Sequence, residues 1–138
     1  MINVSLIKES EGFAEHAYKC PAGKITIGFG STFYQDGTPV KMGDTITREK
    51  AEELLQWYCD TQIKYPEGLN DNQKSAVCSL VYNIGQGAFE RSQLKKAIEA
   101  RNEKRIREEW TWYKANGKVL QGLVKRRQKE LSLFFKEE

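Results

Sequence analysis

Residues 23–30, Gly-Lys-Ile-Thr-Ile-Gly-Phe-Gly, form the stretch that decides the class of the fold. Three glycines interrupt a β-branched and aromatic run, which is typical of a short strand followed by a turn. The Asp36-Gly37 pair favours a hairpin turn, because both central positions of a type I′ turn need positive φ. Residues 16–40 are therefore predicted to form a small antiparallel sheet of about three strands.

Helical patterns flank this predicted sheet. Residues 3–11 carry apolar side chains near one stripe and meet a stop at Gly12, which indicates a short helix. After the sheet, capping residues precede apolar runs with helical spacing. They predict five more helices: from Thr47 with an apolar face through Tyr58, from Asn70 or Asp71 to Ile84, from Ser92 to about Ala100, from about Asn102 to Ala115, and from about Leu120 to Phe135. The helix ending at Ile84 is the most apolar and is predicted to form the core.

A helix, a small sheet and then several helices predict an α+β fold with two lobes. The 138 residues have the length of one domain. Within it, residues of about 12–60 are expected to form the sheet-containing lobe, and residues 1–11 and 61–138 the helical lobe. The cleft between two such lobes is where a ligand is expected to bind.

The charge is distributed unevenly along the chain. The whole sequence has 22 basic and 19 acidic residues, a balance of +3, whereas Arg91–Lys129 contains 13 basic and 4 acidic residues, a balance of +9. One surface is thus expected to be basic and to suit a polyanion, such as nucleic acid, anionic lipid or a bacterial envelope polymer. Solvated helix faces would give the same pattern.

Neither metal nor membrane chemistry is indicated. The cysteines are three in number, Cys20, Cys59 and Cys78, without a CxxC pair, and His16 is the only histidine. A zinc site and a disulfide framework are therefore not expected, and Cys59 and Cys78 are interpreted as reduced thiols. No apolar run approaches the ~18 residues of a membrane span, and the first residues are too polar for a signal peptide. A cytoplasmic origin is expected.

Three residues near the predicted sheet are weak signals alone and informative together. Glu11 is followed after eight residues by Cys20, and Cys20 after five residues by Thr26. This pattern resembles the catalytic triad of the bacteriophage T4-type lysozymes, the phage endolysins of glycoside hydrolase family 24, in which the second position is Asp or Cys. Further segments resemble lambdoid-phage endolysins in order and spacing: Ser10–Phe13, Ala17–Lys19, Thr26–Gly30, Gln73–Val77, Tyr82–Phe89 with Ser92, and Gly122–Glu130.

The resemblance implies a lysozyme-like fold and a muramidase that cuts the β-1,4 bond between N-acetylmuramic acid and N-acetylglucosamine without a cofactor. Cleavage needs an acid at the leaving oxygen, and Glu11 is the only carboxyl in the motif. Cys20 then takes the second catalytic role and Thr26 orients water, with inversion as the usual outcome. The family also implies sugar contacts from Gly30, Thr32, Tyr82 and Ser92, and an arginine beside the catalytic glutamate, for which Arg126 or Arg127 is the candidate.

One position departs from the family pattern. Many relatives place a histidine after the Gly-x-Gly turn, whereas Ser31 follows Gly30 here, which puts in doubt a structural salt bridge of that histidine. The tryptophans fall on predicted helices, which favours core packing over sugar stacking: Trp57, Trp110 and Trp112.

The expected partner is cell-wall peptidoglycan, held in part by the basic surface. The resemblance implies a monomer that starts in the cytoplasm of the bacterial host and reaches the periplasm and wall through a holin-type partner. Three other functions stay open: a lytic transglycosylase, which would not need Cys20 and Thr26, a catalytically degenerate wall-binding protein, and a nucleic-acid binder. No helix-turn-helix signature supports the last of these.

Overall fold

The chain forms seven helices and four short strands, counted over residues 2–137, which are those that the computed structural model describes. In chain order they are α1 (Ser5–Glu11), β1 (Ala14–Lys19), β2 (Ile25–Gly28), α2 (Arg48–Thr61), α3 (Asp71–Ile84), α4 (Gln86–Glu90), α5 (Gln93–Glu99), α6 (Glu103–Glu109), β3 (Lys114–Ala115), β4 (Lys118–Val119) and α7 (Gln121–Phe134). The predicted α+β class is confirmed. Contacts divide the chain into two units, one of residues Ile7–Gln62 and one of the residues through Leu6 and from Ile63 onward.

The sheet of the first unit is smaller than predicted. β1 and β2 pair antiparallel, with Tyr18 opposite Thr26 and an irregularity between Ala14 and Tyr18. The predicted third strand is wrong, because Phe33 and Pro39 form only an isolated bridge around the Asp36-Gly37 turn. Proline has no N–H to donate to a ladder, and the neighbouring backbone groups close the turn locally. β1 instead has another isolated bridge, from His16 to Thr45.

The interior of this unit follows from the alternation of side chains along the strands. Ile27 is fully buried and packs with Ala17 and Val40, and the half-buried side chains around them are Ile25, Tyr34 and Ile46. α2 begins as predicted at Thr47, whose hydroxyl accepts a hydrogen bond from the Lys50 N–H. The buried side chains of α2 are Ala51, Leu54, Leu55 and Cys59.

Gly28 is required where β2 meets α2. Its φ is +65°, a conformation that L residues rarely adopt. A Cβ atom at this position would stand 3.0 Å from the Cβ of Ala51, closer than ordinary van der Waals contact. Position 28 therefore excludes a side chain both by its backbone conformation and by the approach of the helix.

Replacement of Gly28 by alanine is expected to lower the free energy of unfolding by about 2–4 kcal/mol, from backbone strain and overpacking together. Urea unfolding followed by circular dichroism measures this change. Gly37→Ala is the matched control, because Gly37 has φ +87° but nothing within 4 Å of a Cβ, so only the backbone cost of about 1 kcal/mol applies. Equal losses in both variants would contradict the packing argument.

The second unit is organised around α3, as its apolar composition predicts. Asn70 and Gln73 form a reciprocal capping box at its start, and every residue from 75 to 81 is buried. α7 packs against α3. The cysteines of the two cores form no disulfide and are reduced thiols, as interpreted from the sequence: Cys59 on α2 and Cys78 on α3.

Two helical predictions in this unit need correction. The helix predicted from Asn102 to Ala115 ends at Glu109, because the side chain of Trp110 is buried and anchored by its Nε1–H to Glu130 at 3.0 Å. After Trp110 the chain turns at Asn116, which has φ +52°, and forms the β3–β4 hairpin. Residues 86–90 form the short helix α4, which was not predicted because two closely spaced glycines, Gly85 and Gly87, are typical of a helix end.

Candidate active site

Glu11 is the last residue of α1. The helix stops there because Gly12 takes a positive φ of 71° while its N–H donates to the Lys8 carbonyl. This ending places the Glu11 carboxyl in an exposed position directly before β1. Lys8, one turn earlier, pairs with Glu52 of α2 at 3.8 Å, so α1 is tied to α2 at this end.

An aromatic and cationic contact joins the segment after Glu11 to the segment after β2. The rings of Phe13 and Phe29 lie 5.6 Å apart between centroids. The Arg48 guanidinium lies 5.7 Å from the Phe13 centroid and 5.4 Å from the Phe29 centroid, within the range of cation–π attraction. Glu11 lies two residues before Phe13, and Thr26 lies three residues before Phe29. The contact therefore restrains the backbone that carries these two residues.

Cys20 and Thr26 are brought together by the turn between β1 and β2. The Cys20 N–H donates to the Lys24 carbonyl at 2.8 Å, and the Gly23 N–H donates to the Cys20 carbonyl at 2.8 Å. Thr26 is 5% exposed, and its hydroxyl donates to the Lys24 carbonyl at 3.2 Å. The half-buried Cys20 side chain lies within hydrogen-bond reach of this hydroxyl.

The same turn lowers the pKa of the Cys20 thiol. The largest cause is a hydrogen bond from the backbone N–H of Lys24, and smaller contributions in the same direction come from Ala22, Thr26 and Gly23. Donors directed at sulfur stabilise the thiolate over the thiol. These hydrogen bonds therefore favour the thiolate of Cys20, which is a stronger base and a stronger electrostatic partner than the neutral thiol.

The predicted sugar-contacting residues lie in both units. Gly30 has φ +90° in a loop closed by two 2.9 Å hydrogen bonds between the backbones of Ile27 and Ser31, and Thr32 follows it half-buried. Tyr82 is half-buried near the end of α3. Ser92 caps α5, since its hydroxyl accepts from the Lys95 N–H at 3.1 Å and donates to the Phe89 carbonyl at 2.6 Å. Their sugar contacts stay predictions.

Arg126 and Arg127 are buried on α7. Arg126 donates through Nη2 to the Ser79 carbonyl at 2.9 Å, and Arg127 donates through Nη2 to the Asn83 amide oxygen at 2.9 Å. Both pair with Glu130, a fully buried carboxylate on the same helix. Burial raises the pKa of Glu130, against the opposing effect of the two arginines, and burial lowers the pKa of Arg127.

Comparison with known proteins decides the family. A family model described as "Phage lysozyme" matches residues 8–130, which include the whole Glu11, Cys20 and Thr26 arrangement. The chain belongs to the phage lysozyme family. It is a peptidoglycan-degrading muramidase of the endolysin kind, and so a glycosidase, as the resemblance predicted.

Individual relatives agree with the family model. The chain is 42% identical to an endolysin of Acyrthosiphon pisum secondary endosymbiont phage 1, over 94% of this chain and 92% of that protein. It is 30% identical to a SAR-endolysin of Haemophilus phage HP1, over 94% of this chain and 77% of that protein. A crystal structure of a mutant of P22 lysozyme superposes with a TM-score of 0.77 at 35% identity, covering 99% of each chain. The predicted lysozyme-like fold is confirmed.

Other features of this phage lysozyme are reported for the described residues only. Residues 2–137 contain no group of three His, Cys, Asp or Glu side chains that could hold a metal ion. None of the helices in that range is both long and apolar enough to span a membrane. Trp110 is a core residue at 2% exposure, as favoured from the sequence, whereas Trp57 and Trp112 are half-buried.

Sequence reasoning about this lysozyme missed Glu130. The signal was present, because Glu130 follows Arg127 by three residues and Arg126 by four, the spacing at which side chains meet on a helix. Nothing in that spacing distinguishes a surface ion pair from a buried one. Burial of the cluster depends on α3 and Trp110, which are distant in sequence.

Proposed function

We propose that Glu11, Cys20 and Thr26 carry out the hydrolysis performed by this muramidase. Glu11 donates its proton to the glycosidic oxygen as the bond to C1 of N-acetylmuramic acid breaks. Water, oriented by the Thr26 hydroxyl, attacks C1 from the opposite face and passes a proton to the Cys20 thiolate. The products are two hydrated saccharide ends, and the anomeric configuration is inverted.

The proximity of Cys20 and Thr26 in one hydrogen-bonded turn supports this proposal most directly. A residue that accepts a proton from water needs an anionic form at the working pH, and the turn lowers the pKa of the Cys20 thiol. A residue that orients the water must offer a hydroxyl beside that anion, and Thr26 does so. A lytic transglycosylase would need neither group.

Substrate contacts complete the proposal. Gly30, Thr32, Tyr82 and Ser92 supply them, as the family resemblance implies. Arg126 is the candidate cation for the Glu11 carboxylate, and Arg127 is the alternative. A cation beside Glu11 stabilises the charge that this residue carries after it has lost its proton.

The partners follow from charge and family. The exposed basic side chains of residues 91–129, which do not include the buried Arg126 and Arg127, bind the anionic wall polymer, and nucleic acid is not proposed as a partner. We infer a monomer that accumulates in the cytoplasm of the bacterial host and reaches the wall after a holin-type partner permeabilises the membrane. The relative from Haemophilus phage HP1 is named a SAR-endolysin. The export route is therefore the part of this proposal to test first.

Digestion of isolated peptidoglycan, with mass analysis of the released fragments, tests the reaction. Hydrated muropeptides are expected, with the anomer inverted in the first product. Products lighter by one water would show that the reaction is transglycosylation and not hydrolysis. Binding to the wall without any release would indicate a catalytically degenerate wall-binding protein.

A further inference from the structure

Glu130 is the centre of a buried polar cluster on α7. Its side chain is 0% exposed and receives hydrogen bonds from the Ser79 hydroxyl and, at 3.0 Å, from the Trp110 Nε1–H. The Nε atoms of two consecutive arginines approach the same carboxylate, Arg127 at 2.9 Å and Arg126 at 3.4 Å. Both oxygens of Glu130 are therefore occupied.

The charges of this cluster make Glu130 essential to its geometry. Glu130 is the only buried carboxylate among the described residues, and it faces two buried guanidinium groups. Removing the anion from a buried ion pair leaves the cation uncompensated, which is strongly unfavourable. Arg127 depends on it most, because its Nε and Nη1 are buried without a hydrogen-bond partner and the ion pair with Glu130, at 2.9 Å from Nε, compensates its charge. Without Glu130, the charges of both arginines could be compensated only by other anions or by water.

The two arginines connect the buried carboxylate to the groups proposed to meet the substrate. The Nη2 of Arg127 donates to Glu130 at 3.2 Å and also to the Asn83 amide oxygen at 2.9 Å, and Asn83 is exposed beside Tyr82. Arg126 donates to Ser79 through Nη2 at the carbonyl and through Nε at the hydroxyl, at 2.9 Å and 3.3 Å, and the proposed function assigns this arginine to Glu11.

We propose that Glu130 is a positioning residue of the muramidase reaction, which sets the orientation of Arg126 and, through Arg127, of the Tyr82-Asn83 segment. This inference rests on the proposed function of Glu11 and Arg126. It adds a residue that touches neither the substrate nor the reacting atoms, and it assigns the buried cluster a role in kcat as well as in stability.

Glu130→Gln tests the proposal, since the amide keeps the size of the side chain and removes its charge. We expect kcat on peptidoglycan to fall about 10- to 100-fold with KM within about twofold, as misplacement of a catalytic partner has effects of this size. The assay is run at a temperature where circular dichroism shows the variant fully folded. A fully folded Glu130→Gln protein with kcat within about twofold of the parent would overturn the proposal.

Ser79→Ala and Ser75→Ala form a matched pair that separates positioning from stability. Both serines are buried on α3, but the Ser79 hydroxyl donates to Glu130 and accepts from the Arg126 Nε–H, whereas the Ser75 hydroxyl donates to the Asp71 carbonyl and accepts from the Asn3 N–H. Loss of one hydrogen bond is worth about 3- to 10-fold, so Ser79→Ala is expected to lower kcat by up to that factor. Ser75→Ala is expected to lower stability alone.

This pair decides the question even where Glu130→Gln does not fold. Equal kcat values for the two serine variants would reduce the cluster to a structural role and refute the inference. Glu11→Gln distinguishes this failure from that of the proposed function. If Glu11→Gln is inactive and Glu130→Gln is fully active, only the positioning role is lost; if Glu11→Gln is active, the proposed mechanism itself fails.

Discussion

Replacement of Glu11 by glutamine is expected to lower kcat on peptidoglycan by about 100- to 10,000-fold, the contribution of a positioned general acid. The amide has nearly the same shape and cannot release a proton to the glycosidic oxygen. KM is expected to change little, because the sugar contacts proposed for Gly30, Thr32, Tyr82 and Ser92 remain. Reducing-end release from isolated peptidoglycan, followed over time, gives both constants.

The matched control is Glu9→Gln. Glu9 is an exposed acid on the same helix and stands outside the proposed machinery, so this variant removes one negative charge from α1 without touching the reaction. It is expected to keep the parent activity. A Glu11→Gln protein as active as Glu9→Gln would show that another group protonates the leaving oxygen.

Replacement of Cys20 by aspartate is expected to preserve hydrolysis and to extend it toward acid pH. The active form needs residue 20 ionised, so kcat/KM of the parent rises as pH increases through the pKa of Cys20. That pKa is lowered by the turn but belongs to a thiol, and an ordinary aspartate has a pKa of about 4. The introduced carboxylate is then already charged at pH values where the thiol is still neutral.

The measurement is kcat/KM between about pH 4 and pH 9, a range that spans the ordinary pKa values of carboxyl and thiol groups. Cys20→Ser serves as the non-ionising control, because serine keeps the size and has no anionic form in this range. Cys20→Ser is expected to lose most activity, and the rise of kcat/KM with pH that ionisation of Cys20 produces is expected to disappear. A Cys20→Ser profile identical to that of the parent would mean that the thiolate plays no part.

Much of the local structure followed from the sequence, because local chemistry decides it. Thr47, Asn70 and Ser92 cap helices as predicted, since a side-chain oxygen that meets a free backbone N–H acts within one turn of chain. A turn also forms at Asp36-Gly37, but the predicted type I′ geometry is wrong, because Gly37 has a positive φ and Asp36 does not. The Cys20 and Thr26 pairing could be anticipated for the same reason, since only one turn separates them.

The incorrect predictions share a different cause. The helix predicted through Ala115 ends early because Trp110 is buried against Glu130 and Phe134, with its ring 5.3 Å from that of Phe134 between centroids. These partners lie 20 or more residues away, and helix propensity contains no information about them. The prediction of a third strand was wrong for the same reason, since the tertiary structure determines which segments pair in a sheet.

The sequence by itself determined the α+β class, most helix starts and the core helix, because periodicity and capping act within a few residues, and it contained the motif of Glu11, Cys20 and Thr26 that carries the family resemblance. Only the tertiary structure decided that Ala51 packs against Gly28 and that Glu130 is a buried carboxylate facing two buried arginines. These features depend on burial, and burial arises when segments distant in the chain remove one another from water.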